Sequence, residues 1–329
     1  MKLSKVGEFG LIERIRKSTS TGPGVRLGIG DDAAWVKCRN DSLLITSDLL
    51  IEGVHFDLHW SSLYSLGYKS LAVNLSDIAA MGGTPAYLLL SLGIPVDFRT
   101  EEIEEFYRGV RSLASRCGVS LVGGDTNASE RFFISVALLG YAPFGAIARS
   151  GAKVGDDLYT TGTLGDSALG LQLLKRKGSK ARGKEAAYLI SRHHLPTARL
   201  KAGALLARWK LAKAMIDISD GLLQDLGHLC KASGIGAVVW QEALPLSRAY
   251  RLWVGGNKAR YALSGGEDYE LLFSLRPRDR SRLEKLRKRL GVPVTRIGTC
   301  VPANKGIKVL GAQGTPLSVP HPGYNHFKN

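Results

Sequence analysis

The sequence predicts an α/β protein of the α+β type, folded as two consecutive domains. Three observations carry that expectation. Strand-like and helix-like segments alternate along most of the chain. A stretch rich in Gly and Ala, APFGAIARSGAKVG at 142–155, interrupts the alternation near the middle and reads as a linker. A chain of 329 residues is about the length that two domains need. We therefore place domains over residues 1–145 and 146–329.

In chain order, Leu3, Val6, Phe9, Ile12 and Ile15 form a helical stripe, weakened by Gly7 and Gly10. Gly28-Ile29-Gly30-Asp31-Asp32 is a bend, followed by a strand through Trp35 and Val36. Leu43–Ile45 is a short strand that ends at Thr46-Ser47-Asp48, which puts Asp48 at a strand end. Leu63–Met81 is a long helix with Leu71, Leu75, Ile78 and Ala79 near one face, closed by Gly82-Gly83. Tyr87–Leu92 is a strand, and Pro95 closes it. Thr100 suits a helix N-cap, with Glu101 and Glu102 in the favourable first turn. Val119–Val122 is a strand that leads into Gly123-Gly124-Asp125, and Phe132–Tyr141 is another.

After the linker, Asp157–Thr161 is a strand. Thr163–Ser167 opens a helix whose free backbone N–H groups suit an anion. Helices follow around 185–192 and 198–211. Ala214–Ile218 is a strand that ends in Asp217-Ile218-Ser219-Asp220-Gly221. Ala237–Trp240, Tyr261–Leu263, Tyr269–Leu275, Val294–Cys300 and Ile307–Leu310 read as strands, with a solvated basic helix over Arg276–Arg289.

Composition narrows the class. Hydrophobic residues make up 44% and charged residues 22%, as in soluble globular proteins. The net charge of +16 favours anionic partners such as nucleotides or phosphorylated metabolites. The basic runs Lys175–Lys184, read as a flexible loop, and Arg276–Arg289 carry no interleaved aromatics, so nucleic acid is not expected. Cys38, Cys117, Cys230 and Cys300 are too far apart for a Cys-x-x-Cys site, and free thiols fit a cytoplasmic protein. No apolar run is long enough for a membrane helix, and the N-terminus has no secretory h-region.

The chemistry lies in the acids. Asp31, Asp32, Asp48, Asp77, Asp125, Asp217 and Asp220 recur beside glycines or at strand ends. Any one Gly-Asp pair is more often a solvated turn. As a set, the acids read as converging on magnesium and the phosphates of a nucleotide, because magnesium takes a few carboxylates plus phosphate oxygen. Thr46 and Ser47 add oxygens beside Asp48. Histidine and cysteine are missing from these loops, which argues against zinc. Asp77, among apolar neighbours on a helix, is costly to bury without a partner. No G-x-x-x-x-G-K-[ST] loop occurs, so cations must neutralise the phosphates; Arg149 is a candidate, or else a solvated linker residue. His55 reads as a polar substrate contact or a plain loop histidine. Glu267-Asp268 suits a polar substrate group or a capped turn, and Tyr324 suits stacking or packing.

Together these stretches resemble the thiamine-monophosphate kinase family, in the superfamily of aminoimidazole-ribonucleotide synthetase and selenophosphate synthetase. The matching segments are GIGDDAA at 28–34, TSDLLIEGVHF at 46–56, KSLAVNLSDIAAMGG at 69–83 and VGGDT at 122–126. They continue with RSGAKVGD at 149–156, TGTLGDSALGL at 161–171, IDISDGLLQDLGH at 216–228 and SGGEDYELLF at 264–273. Asn127, where threonine is usual, and Ser47 depart from the family pattern but remain polar.

The resemblance implies ATP-dependent phosphorylation of thiamine monophosphate to thiamine diphosphate, with ATP as co-substrate and several Mg2+ ions. It implies metal ligands at Asp32, Thr46, Ser47, Asp48, Asp77, Asp125, Asp217 and Asp220. It implies ATP contacts at Gly124, Asp125, Arg149 and Ser219, and substrate contacts at His55, Glu267 and Tyr324. The implied fold has an N-terminal domain that forms a dimeric β-barrel, hence a homodimer, and a C-terminal α/β domain. No residue is assigned as a catalytic acid or base, because a phosphate acceptor is already anionic. A sibling ATP-dependent synthetase of the superfamily is the alternative; for selenophosphate synthesis, no Cys precedes Cys38.

Overall fold

The computed structural model describes residues 10, 12–13, 16, 25–38, 41–177, 183–254, 259–319 and 323–324. The N-terminal helical stripe and most of the basic run after Lys177 lie outside the described residues, apart from a few positions.

The first half comprises β1 (Val25–Leu27), β2 (Ala34–Cys38), β3 (Asp41–Ile51), α1 (Leu63–Ala80), β4 (Thr84–Ile94), α2 (Thr100–Cys117), β5 (Ser120–Ala128) and β6 (Phe133–Tyr141). Its six strands pair in the order β1-β2-β3-β6-β4-β5. Only β4 and β5 are parallel among these pairs; the long β3–β6 and β4–β6 ladders are antiparallel. The helices α1 and α2 cover one face.

The second half comprises β7 (Asp157–Thr161), α3 (Asp166–Lys177), α4 (Lys184–His194), α5 (Leu200–Arg208), β8 (Met215–Asp217), α6 (Leu222–Ser233) and β9 (Ile235–Trp240). It continues with α7 (Arg248–Trp253), α8 (Arg260–Ser264), β10 (Leu271–Leu275), α9 (Arg280–Leu286), β11 (Val294–Pro302), β12 (Ile307–Leu310) and β13 (Pro316–Leu317). Its sheet runs β13-β12-β9-β11-β7-β10-β8, and only β9 and β12 are parallel. The mainly antiparallel pairing accords with an α+β architecture.

The central element is α1. All its residues except Leu63, Tyr64 and Asp77 are buried. A helix buried on every side must be covered by two layers. The first half contributes one: Leu71, Leu75 and Ile78 join Leu88, Val136 and Phe106 in its core. The second half contributes the other: Ala79 and Ala80 pack with Ile147, Ala202, Leu206 and Met215. The contact is close because Gly203 on α5 has no side chain; a Cβ there would sit 2.0 Å from the carbonyl oxygen of Ala79.

Several elements differ from expectation. Thr46-Ser47-Asp48 lies inside β3, because that strand runs on to Ile51 against β6. Gly123–Asp125 likewise lies within β5 rather than beyond it. The α2 N-cap is Arg99, whose N–H donates to the Glu102 carboxylate at 2.8 Å. Tyr261–Leu263 is helical, not a strand; a three-residue apolar run cannot distinguish the two, and Ala and Leu favour helix. The basic segment is not uniformly solvated, since Arg280 on α9 pairs with the fully buried Asp157, which Arg296 of β11 also reaches. Lys175–Lys177 completes α3 instead of opening a loop.

Candidate active site

Between the two halves lies a cleft of about 640 Å³. Strand β3 brings the first acids to it. Its pleat turns Thr46 and Asp48 to the face against α1, while Ser47 alternates to the exposed face although it borders the cleft. On α1, Asp77 accepts a hydrogen bond from the Thr46 hydroxyl. At the end of β8, Asp217 accepts one from Ser76 Oγ at 2.6 Å. Asp32 comes from the bend before β2. Asp32, Asp77 and Asp217 each offer one carboxylate oxygen, all within 4.8 Å of one another.

That arrangement is electrostatically unbalanced. Burial, and then Asp48, Asp217 and Asp32, push Asp77 well above the usual carboxylate range. Burial and Asp32 do the same to Asp217, and burial raises Asp48 to about 6. Arg149 supplies a cation, but it is engaged with Asp32, through Nη2 at 2.9 Å and Nε at 3.2 Å. Its backbone N–H donates to Asp31. Oxygen-only donors with surplus negative charge in a confined space fit a hard divalent cation.

Asp220 and Ser219 border the same cleft. The sequence did not mark what holds their loop. Asp225 Oδ2 accepts the N–H groups of Ser219, Asp220 and Gly221 at 3.0–3.1 Å, so the main chain after β8 is locked from inside α6. The signal was an Asp in the first turn of a predicted helix. Tyr324 also borders the cleft, and its N–H donates to the Asp220 carbonyl at 3.1 Å.

Toward Lys69 the cleft is lined by Glu267, and His55 and Tyr269 also border it. His55 Nδ1 accepts from the Ile51 N–H at 3.0 Å, which places the proton of the neutral ring on Nε2. Glu267 pairs with Lys69 of α1 at 2.6 Å and with His193 of α4 at 3.1 Å. Asp268 turns away from the cleft and accepts from the N–H groups of Gly165 and Ser167. The anion expected at the start of α3 is therefore this chain's own carboxylate, and no ligand is needed there. Lys175, on the cleft face of α3 with Ala168 and Leu171, borders the site, although the sequence places it in a basic loop. The i, i+3, i+7 spacing of these three was its only signal.

Gly124 and Asp125 do not join this cleft within one chain. They lie on β5, which is exposed along its whole length. The sheet order puts two strands between β5 and β3, an offset of roughly 14 Å at the usual strand spacing. The Asp125 carboxylate instead accepts from the N–H of Thr126 and the side chain of Asn127, both at 2.8 Å. Gly124 is required where it stands: a Cβ would meet the Leu90 carbonyl oxygen at 1.8 Å.

A two-sheet fold with an acid-lined cleft between its halves defines the broad class. Residues 30–142 match the N-terminal domain of AIR synthase related proteins, and residues 153–310 match the C-terminal domain of the same proteins. Within that class the chain belongs to the thiamine-monophosphate kinase family. It is 42% identical over 325 residues to the thiamine-monophosphate kinase of Escherichia coli K12, covering 98% of each chain. It is 41% identical over 283 residues to that of Aquifex aeolicus, covering 85% of this chain and 89% of the relative. A solved structure described as AaThiL complexed with AMPPCP and TMP superposes with a TM-score of 0.86 at 36% identity, over 99% of both chains. No helix among the described residues is long and apolar enough to cross a membrane.

Proposed function

We propose that the cleft phosphorylates thiamine monophosphate to thiamine diphosphate at the expense of ATP. The observation that carries this reading is the trio Asp32, Asp77 and Asp217, held within 4.8 Å with too little positive charge nearby. It is supported by a relative, matched over 99% of both chains, whose structure was solved with AMPPCP and TMP.

Asp32, Asp48, Asp77, Asp217 and Asp220 would hold Mg2+, with Thr46 beside them. When bound, the metal would offset the repulsion between donor and acceptor phosphates. The chain's own residues do the rest. Arg149 and Ser219 face the nucleotide, and His55, Glu267 and Tyr324 grip the acceptor. The attacking oxygen belongs to a phosphate monoester and is already anionic, so no side chain has to remove a proton. Transfer is direct and in line, without a phosphorylated side chain.

We assign the protein to a homodimer formed through the six-stranded sheet, whose closure with a second copy would complete the β-barrel. Its outer face exposes Leu49, Tyr87 and Leu89, and its edge strand β5 exposes Leu121 and Val122. A patch of that kind beside an open strand edge favours a second copy. Gly124, Asp125 and Ser47 are on this dimerisation sheet, so their roles toward nucleotide and metal depend on the partner. The domain division near 145 and a cytoplasmic location belong to the same reading. A coupled assay of the purified protein with ATP, Mg2+ and thiamine monophosphate tests it: thiamine diphosphate and ADP are expected in equal amounts. If the protein hydrolyses ATP without using the acceptor, the sibling synthetase reading replaces it.

A further inference from the structure

Helix α1 touches both ends of the cleft with one face. Lys69, Val73, Ser76 and Asp77 follow the i, i+4, i+7, i+8 spacing of a single stripe. Lys69 Nζ lies 2.6 Å from Glu267 Oε1. Val73 lines the cleft wall. Ser76 donates to Asp217, and Asp77 stands in the acidic trio. From Lys69 to Asp77 the helix rises about 12 Å.

The Glu267 carboxylate is held from two sides. Lys69, only 4% exposed, takes one oxygen and His193 of α4 takes the other at 3.1 Å. Its backbone is also constrained. Glu267 and Tyr269 both have positive φ, at 65° and 51°, a costly conformation for side-chain-bearing residues. The loop is kept in it by Asp268, which caps α3, and by Glu270, which pairs with Arg192 and Arg199. Burial raises the pKa of Glu267, yet Lys69 and then His193 bring it well below the usual carboxylate range. An ionised carboxylate only accepts hydrogen bonds, and each oxygen keeps a lone pair beyond its present partner. It therefore suits the N–H-bearing end of an acceptor, opposite the phosphate.

We propose that Lys69 and His193 are positioning residues for the acceptor. They hold Glu267 at a fixed distance, measured along α1, from the acids at the phosphate end, so that α1 sets the length of acceptor the cleft takes. This inference rests on the kinase reading above and deepens it.

Steady-state kinetics on the full chain test it. Lys69→Met is expected to raise KM for thiamine monophosphate by about 10- to 100-fold, the range for losing a hydrogen bond that aims a charged group. Turnover should change far less, and KM for ATP should hold. Lys69→Arg should recover most of the loss. Glu267→Gln should raise the same KM, and Lys69→Met with Glu267→Gln should be no worse than Glu267→Gln alone, since both act through one group. That double variant also removes both charges of the pair, so it answers the question if Lys69→Met alone does not fold. Unchanged KM in Lys69→Met, fully additive effects, or a fall in turnover with KM intact would overturn the positioning role while leaving the kinase reading standing. Failure of the wild-type protein to form thiamine diphosphate would overturn both.

Discussion

The two ends of the cleft bury carboxylates in opposite ways. At the Glu267 end the chain supplies its own partners, the Lys69 ammonium and the His193 imidazole, and the carboxylate stays ionised. Deeper in the same half, Glu270 is matched by Arg192 and Arg199, and Asp157 by Arg280 and Arg296. At the other end, Asp77 and Asp217 have hydroxyl partners but, among the described residues, no paired cation of their own, and both pKa values rise well above normal. Paired carboxylates hold the architecture together. Unpaired ones mark where charge is to come from outside, because isolated buried charge is too costly to keep without a role.

Substitutions separate the two kinds. Asp77→Asn should lower turnover on the order of 10²-fold or more. In metal-free buffer its melting temperature should hold or rise, because repulsion is relieved; a cooperative loss of fold with turnover per folded molecule intact would erase the contrast. Glu270→Gln should do the reverse. It leaves two guanidinium groups buried against a neutral amide and costs about 3–5 kcal/mol in chemical denaturation. Unaltered stability there would show that the paired set is not structural.

Mg2+ gives a smaller readout. At about a hundredfold excess over its dissociation constant it should stabilise the wild-type chain by about 2.7 kcal/mol, seen as a rise of a few degrees in melting temperature that EDTA reverses. Asp217→Asn should abolish the rise, whereas Glu270→Gln should keep it. The smallest effect is on acid stability. His194 is half-buried on α4, and burial followed by His193 and Lys69 lowers its pKa to about 4 from 6.5. Between those values the unfolded chain binds a proton that the folded chain does not, so stability falls as pH drops from 6.5 toward 4. His194→Gln should flatten that slope in urea melts at pH 6.5, 5.5 and 4.5.

Much of the site was legible in the sequence because its acids sit in short local motifs. Asp32, Asp48, Asp77, Asp217 and Asp220 each stand beside a glycine, a strand or a helix end that a single sequence displays. What the local pattern hides is pairing across the chain. Ser76 and Asp217 are 141 residues apart, and nothing local links them. Asp268 reads locally as open to a ligand, yet it caps the start of α3. Asp125 has the same local signature as the others, yet its strand falls at the far edge of the sheet. Tyr261–Leu263 gives no sign of its helix, because three apolar residues carry no period.

The burial of α1 from both sides also bears on how such chains can be recombined. Exchanging one half for that of a distant relative would strand Ala79 against a foreign surface and leave Lys69 and Ser76 facing unmatched partners. Crossover points that keep residues 63–80 together with 203, 217 and 267 should yield folded hybrids, whereas a cut in the linker alone should not.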